Sequence, residues 1–163
     1  MARVPGRLMA AGLALCFCST PACAAANEAE ETAPPALETT DISGNWLFET
    51  AEYRDGFCQM SGTMTVFTKS DPESGALSCS LNAVEVCGGD RSIAEQDCKI
   101  TATEDGLLVE SAILNLLEKK PWSTGYAPDN FVLDEISSTR MTGRLVSAIT
   151  APALFYRPVG GIS

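Results

Sequence analysis

The stretch ISGNWLF, residues 42–48, marks where ordered protein is expected to begin. On its N-terminal side, residues 25–40 (AANEAEETAPPALETT) are Ala, Glu, Thr and Pro with almost no large apolar side chain. Such a composition cannot bury enough surface to offset its ordering entropy, so it reads as a flexible acidic arm. On the C-terminal side, short alternating apolar and polar runs are interrupted by turn residues, the pattern of strand, turn and strand.

The turn signals are Ser70-Asp71-Pro72-Glu73-Ser74-Gly75, Gly88-Gly89-Asp90 and Ala127-Pro128-Asp129-Asn130. Glu104-Asp105-Gly106 adds an Asp-Gly hairpin signal. Between them lie eight expected strands, at 44–52, 57–68, 76–86, 95–103, 107–115, 130–136, 140–148 and 152–157. Cys58, Met60, Gly62, Met64 and Val66 share one face of the second, and Met141, Gly143, Leu145 and Ser147 one face of the seventh. One apolar and one polar face per strand is what an antiparallel sheet with one wet side requires. Eight such strands with short connections predict an all-β fold, an antiparallel up-and-down barrel closed so that no edge is exposed. An open sandwich is the alternative. The segment SAILNLLEKK, 111–120, is expected as strand to about Asn115, with room for a helical turn at 114–120 before Pro121.

The first 24 residues carry Arg3 and Arg7, a short apolar run and an Ala22-Cys23-Ala24 cleavage site, so 1–24 is expected to be a signal peptide. The mature chain would start at Ala25 or Asn27. Acylation at Cys16 or Cys23 fits the preceding residues less well, so soluble export to a periplasm or beyond is favoured over lipid anchoring. The apolar run is too short to span a bilayer. Cleavage leaves 9 basic against 21 acidic residues, a net charge of −12 from the −10 of the whole chain. So acidic a chain is repelled by nucleic acid and anionic lipid. Residues 41–159 would form one domain, with 160–163 a tail. Of seven cysteines, Cys58, Cys79, Cys87 and Cys98 remain, an even number that in an exported chain implies two disulfides. With no C-x-x-C and no histidine, neither a metal site nor a cofactor is expected.

Gly44 and Trp46 at the start of the first strand, with Arg157 near the end of the last, resemble the calycin superfamily of lipocalin-like barrels. That resemblance implies a tryptophan plugging the closed end and an arginine packed across its ring. Over residues 25–80 the chain is similar to the small periplasmic inhibitors of secreted bacterial metalloproteases, in Ser43, Gly44, Trp46, Cys58 and Cys79. Inhibitors of that kind imply bridges Cys58–Cys79 and Cys87–Cys98, although Cys58–Cys87 with Cys79–Cys98 stays open. They also imply an arm, here Ala25 to about Thr40, that enters the protease cleft. The second half departs from them, with its own Cys87 and Cys98 and a longer Tyr126–Arg157 region.

Catalysis finds little footing. The lack of histidine removes Ser-His-Asp and Cys-His arrangements, and paired carboxylates such as Glu104-Asp105 and Asp134-Glu135 fall at turns or strand ends. The expected inward set, Met60, Met64, Phe131, Leu133, Met141, Leu145 and Phe155, is large enough to fill a small barrel. Trp122 and Tyr126, with Pro121 and Pro128, would form a loop over one mouth, either a contact site or a lid packed on its own barrel. These readings lead to an exported, non-catalytic binding protein of protease-inhibitor-like type. The alternatives are a carrier of a small apolar ligand and an envelope accessory protein.

Overall fold

The computed structural model describes residues 40–71 and 75–158. The expected leader 1–24, the arm 25–40 up to its last residue, and the tail 160–163 lie outside these. Eight strands form in chain order: β1 Gly44–Thr50, β2 Cys58–Ser70, β3 Leu77–Cys87, β4 Asp90–Thr103, β5 Gly106–Glu118, β6 Asn130–Ile136, β7 Arg140–Val146 and β8 Thr150–Tyr156. Each pairs antiparallel with the next, and β8 returns to β1. The fold is a closed, eight-stranded, all-antiparallel barrel, compatible with the lipocalin-like type. Closure satisfies the edges that an open sheet of these strands would leave bare.

The alternation read from the sequence decides which side chains turn inward. Cys58, Met60, Met64 and Val66 are buried from β2, as are Met141 and Leu145 from β7. At the centre, Phe48 stacks on Phe155 at 5.2 Å, and Phe131 meets both edge-on at 5.4 and 5.0 Å. Met64, Leu81, Leu133 and Val109 complete the filling, each essentially without solvent exposure.

Two details depart from expectation. β5 continues as strand to Glu118 rather than ending near Asn115 or turning helical. The reason lies in its partner. β4 begins at Asp90, five residues earlier than expected, because Gly88 and Gly89 make a tight turn at positive φ. Residues 93–97 thus extend the ladder along β5, and its hydrogen bonds outweigh the helix propensity of Leu, Glu and Lys. The second departure is the disulfide pattern. Cys58 lies directly opposite Cys87 across β2–β3, and Cys79 opposite Cys98 across β3–β4, with Cα separations of 4.1 and 4.8 Å. The bridges are Cys58–Cys87 and Cys79–Cys98, so the pairing implied by the inhibitor resemblance is overturned. In this register Cys79 faces Val66, eight residues along β2 from Cys58, or roughly 26 Å at strand rise. Two such bridges belong to a chain that folds in an oxidising, non-cytoplasmic compartment.

Up-and-down connectivity gives the barrel two distinct ends. The chain enters at Asp41–Ser43 and leaves at Arg157 at one end, with the β2–β3, β4–β5 and β6–β7 turns. The β1–β2, β3–β4, β5–β6 and β7–β8 connections form the other. The wall is not uniform: β5 pairs with β6 only over Leu107–Val109 against Phe131–Leu133. Past that short seam, β5 runs on with β4 as its one strand partner among the described residues. Among the described residues no helix is long and apolar enough to cross a membrane.

A polar cluster at the open end of the barrel

The first end is shut. Trp46 is almost wholly buried and donates its indole N–H to the Ile42 carbonyl at 2.8 Å. The Arg157 guanidinium lies 4.0 Å from the centre of its ring and donates to the Ser138 carbonyl at 3.1 Å. Gly44 sits at φ +98°, and a Cβ there would come within 2.9 Å of Arg157 Nη1. Ser43 donates both its N–H and its hydroxyl to Asp41, which holds that carboxyl below its usual range. Glycine is therefore required at position 44 by conformation, and a side chain there would also push on the Arg157 guanidinium.

The opposite end holds the chemistry. The β5–β6 connection, residues 119–129, folds back over the mouth and carries Lys120, Tyr126 and Asp129 inward. Lys120 is buried, and its ammonium donates to the Glu85 carboxylate and to Cys87 Sγ at 3.5 Å. The Tyr53 hydroxyl donates to the second Glu85 oxygen at 2.7 Å. Beside this group, Asp129 Oδ2 accepts from Gln96 Nε2 at 2.6 Å and from the Tyr126 hydroxyl at 2.7 Å, while its own N–H donates to Gln96 Oε1 at 2.9 Å. Further ties hold the loop. Lys120 N–H donates to Ser92, Ser111 Oγ to the Asp129 carbonyl, Ser147 Oγ to the Pro128 carbonyl, and Trp122 Nε1 to Asp90. All buried side-chain polar atoms among the described residues have a partner.

Burial dominates the electrostatics. It pushes the Asp129 carboxyl up to about 6, against the hydrogen bonds from Tyr126 and Gln96 and the charge of Lys120. It raises Tyr53 to about 12, with the Asp129 charge adding to the effect, and raises Tyr126 for the same two reasons. Lys120 is drawn down by burial and by the charge of Arg54, with Asp129 opposing. Arg54 and Asp55 stand at φ 53° and 57°, in the left-handed region that costs non-glycine residues about 1–2 kcal/mol each. Paired backbone bonds between Tyr53 and Cys58 hold them there, and the turn sets Tyr53 inward with Arg54 at the mouth. Between these groups remains a cavity of about 80 Å³ lined by Met60, Trp122, Tyr126 and Ile149 among others.

Of the residues singled out from the sequence, Gly44, Trp46 and Arg157 meet at the shut end. Trp122 and Tyr126 sit on the mouth loop with different fates: Trp122 is half-exposed, and Tyr126 is partly buried and tied to Asp129. The cluster of Glu85, Gln96, Lys120 and Asp129 was not foreseen. A signal for two of them exists in parity: Glu85 falls in phase with Leu81, Ala83 and Cys87, and Gln96 with Cys98 and Ile100, so each is a polar residue at an inward position. Cys58, Glu85 and Cys87 bring possible metal-ligand atoms within 4.8 Å of one another. Both sulfurs are joined in a disulfide, and the carboxylate is taken by Lys120 and Tyr53, so the group is not disposed to hold an ion.

Comparison with protein families, with curated proteins and with solved structures finds no significant match to the chain. The barrel therefore defines the class of protein, a small disulfide-bonded antiparallel β-barrel, and the function rests on its own geometry.

Proposed function

We propose that this chain is an exported, non-catalytic binding protein that recognises another protein on the outside of its barrel, in the manner of a periplasmic protease inhibitor. The observation that carries the reading is the filled interior. Trp46, the Phe48–Phe131–Phe155 cluster and the surrounding Met and Leu side chains leave about 80 Å³ at the mouth. A site for a carried apolar molecule encloses several hundred Å³, which makes the carrier the less favoured role. Recognition then falls to surface elements, of which the acidic arm 25–40 is the leading one by its resemblance to inhibitor arms. The periplasm or the extracellular space suits the disulfides.

The test is inhibition of a panel of secreted zinc metallo-endopeptidases by the intact chain and by a chain lacking residues 25–40. The expected result is that both melt at the same temperature while only the intact chain inhibits. Equal inhibition by the two would remove the arm from the mechanism. Failure of both would discard the protease-inhibitor reading.

A further inference from the structure

Seven of the eight exposed large apolar side chains among the described residues lie at the open end or on the strand segments leading to it: Phe57, Val86, Leu114, Leu116, Leu117, Trp122 and Val146; Phe67 is the exception. Six of them follow one another along the β3–β5 side. The Phe57 ring packs on Gly88, where a Cβ would meet it at 2.3 Å, and lies 6.4 Å from the Trp122 ring. Trp122 holds Asp90, whose neighbour Arg91 pairs with Val86 across the hairpin and bonds Glu118 at 2.7 Å, next to Leu117. On β5, Leu114 and Leu117 are the extra residues of two bulges, and beyond Ser111 this strand has no partner strand on its β6 side among the described residues. Bulges spoil a free edge for strand addition, so what this region presents to a partner is leucine side chains rather than backbone.

We propose that this face is the interface of a homodimer, its occupant a second copy of the same chain. Area is the first argument. The six side chains are between 38% and 61% exposed. At that exposure they offer on the order of 600 Å² per copy, so two copies would bury about 1,200 Å², the lower bound of a stable interface. Charge is the second. Around the patch Arg54, Arg91 and Lys119 are interspersed with Glu52, Asp55, Asp90, Glu95 and Glu118, so each copy offers both signs of charge. A two-fold interface must complement itself, and cations set beside carboxylates let one copy's Arg54 and Arg91 face the other's acids. The face lies at the barrel end opposite Asp41–Ser43, and the dimer is independent of the inhibitor reading.

Sedimentation velocity of the full-length protein, from about 5 to 500 µM, reads the equilibrium directly. A monomer–dimer transition is expected, and it should strengthen between about 0.05 and 0.5 M NaCl as the acidic chains are screened. Leu117→Glu and, separately, Phe57→Ser should each weaken dimerisation at least about tenfold, with an unchanged melting curve as the check on folding. Phe67→Ser, at the shut end, should leave it unaltered. The proposal is overturned by a monomer at every concentration and salt, or by a dimer indifferent to both rim variants. It is equally overturned if the monomer binds phosphatidylcholine vesicles through this rim, which would make a lipid surface the occupant.

Discussion

Asp129 concentrates the consequences of burying a charge. Its carboxyl is pushed up to about 6 by burial, from an unfolded value near 3.8. The fold thus favours the protonated form, and this contribution to stability is complete below about pH 4 and is lost as the pH rises through about 6. Compared with Asp129→Asn, which keeps an acceptor and cannot ionise, the native chain should lose about 2–3 kcal/mol between about pH 4 and pH 7. Urea unfolding of both proteins at the two pH values measures it, and a pH-independent difference would contradict it. Glu85 and Lys120 obey a different rule. Glu85→Leu strands a buried ammonium and should cost about 3–5 kcal/mol, whereas Glu85→Leu with Lys120→Met should recover most of that loss. A double variant as unstable as the single one would show that the pair is not the cause.

At the scale of elements, the β2–β3–β4 meander and the mouth loop are the units that sequence patterns described least completely. The strands were legible because alternation along β2 and β7 and the Asp-Gly turn before β5 are local signals. The cysteine pairing was not, since it depends on which residues of two strands face each other. Digestion settles the pairing chemically. Trypsin alone cannot, because Cys79 and Cys87 lie between Lys69 and Arg91 on one peptide. Adding a Glu-specific protease to cut after Glu85 separates them, and the Cys58 peptide should then travel with Cys87, not Cys79. Each bridge should contribute about 3 kcal/mol, slightly more for Cys58–Cys87, which closes the longer loop. The mouth loop was read as aromatic and proline-rich, which found Trp122 and Tyr126. Lys120 carried no signal, as a lysine after Lys119 and before a proline reads as solvated surface.

For the whole molecule, the weak place is the β5–β6 seam. Seven of the eight strand junctions are closed by four or more residue pairs, whereas this one has three, helped by the Ser111 N–H bonded to Asn130 Oδ1 at 2.8 Å. Local opening follows the least supported hydrogen bonds. In hydrogen exchange the seam amides of β5 and β6 should therefore exchange faster than those of the β2–β3 and β3–β4 ladders, which are longer and disulfide-bridged. Equal protection around the barrel would mean that it opens only by global unfolding. The same seam explains why β5 leaves the wall with its leucines uncovered, and why the loop after it is free to fold over the mouth.

Apart from the plug of Gly44, Trp46 and Arg157, which rested on a family resemblance, the sequence by itself determined what depends on near neighbours: eight strands, the inward side of those that alternate, such as β2 and β7, and the even set Cys58, Cys79, Cys87 and Cys98. Side-chain direction along a strand repeats every two residues, so composition read locally is enough for these. Only the tertiary structure decided the register that joins Cys58 to Cys87, and the meeting of Glu85, Gln96, Lys120 and Asp129 at one end. It alone decided, too, which leucines stay in water. Those outcomes hang on contacts between residues up to 35 positions apart in the chain, as Glu85 and Lys120 are. Their energies depend on the partner each residue finds, and no local pattern encodes that partner.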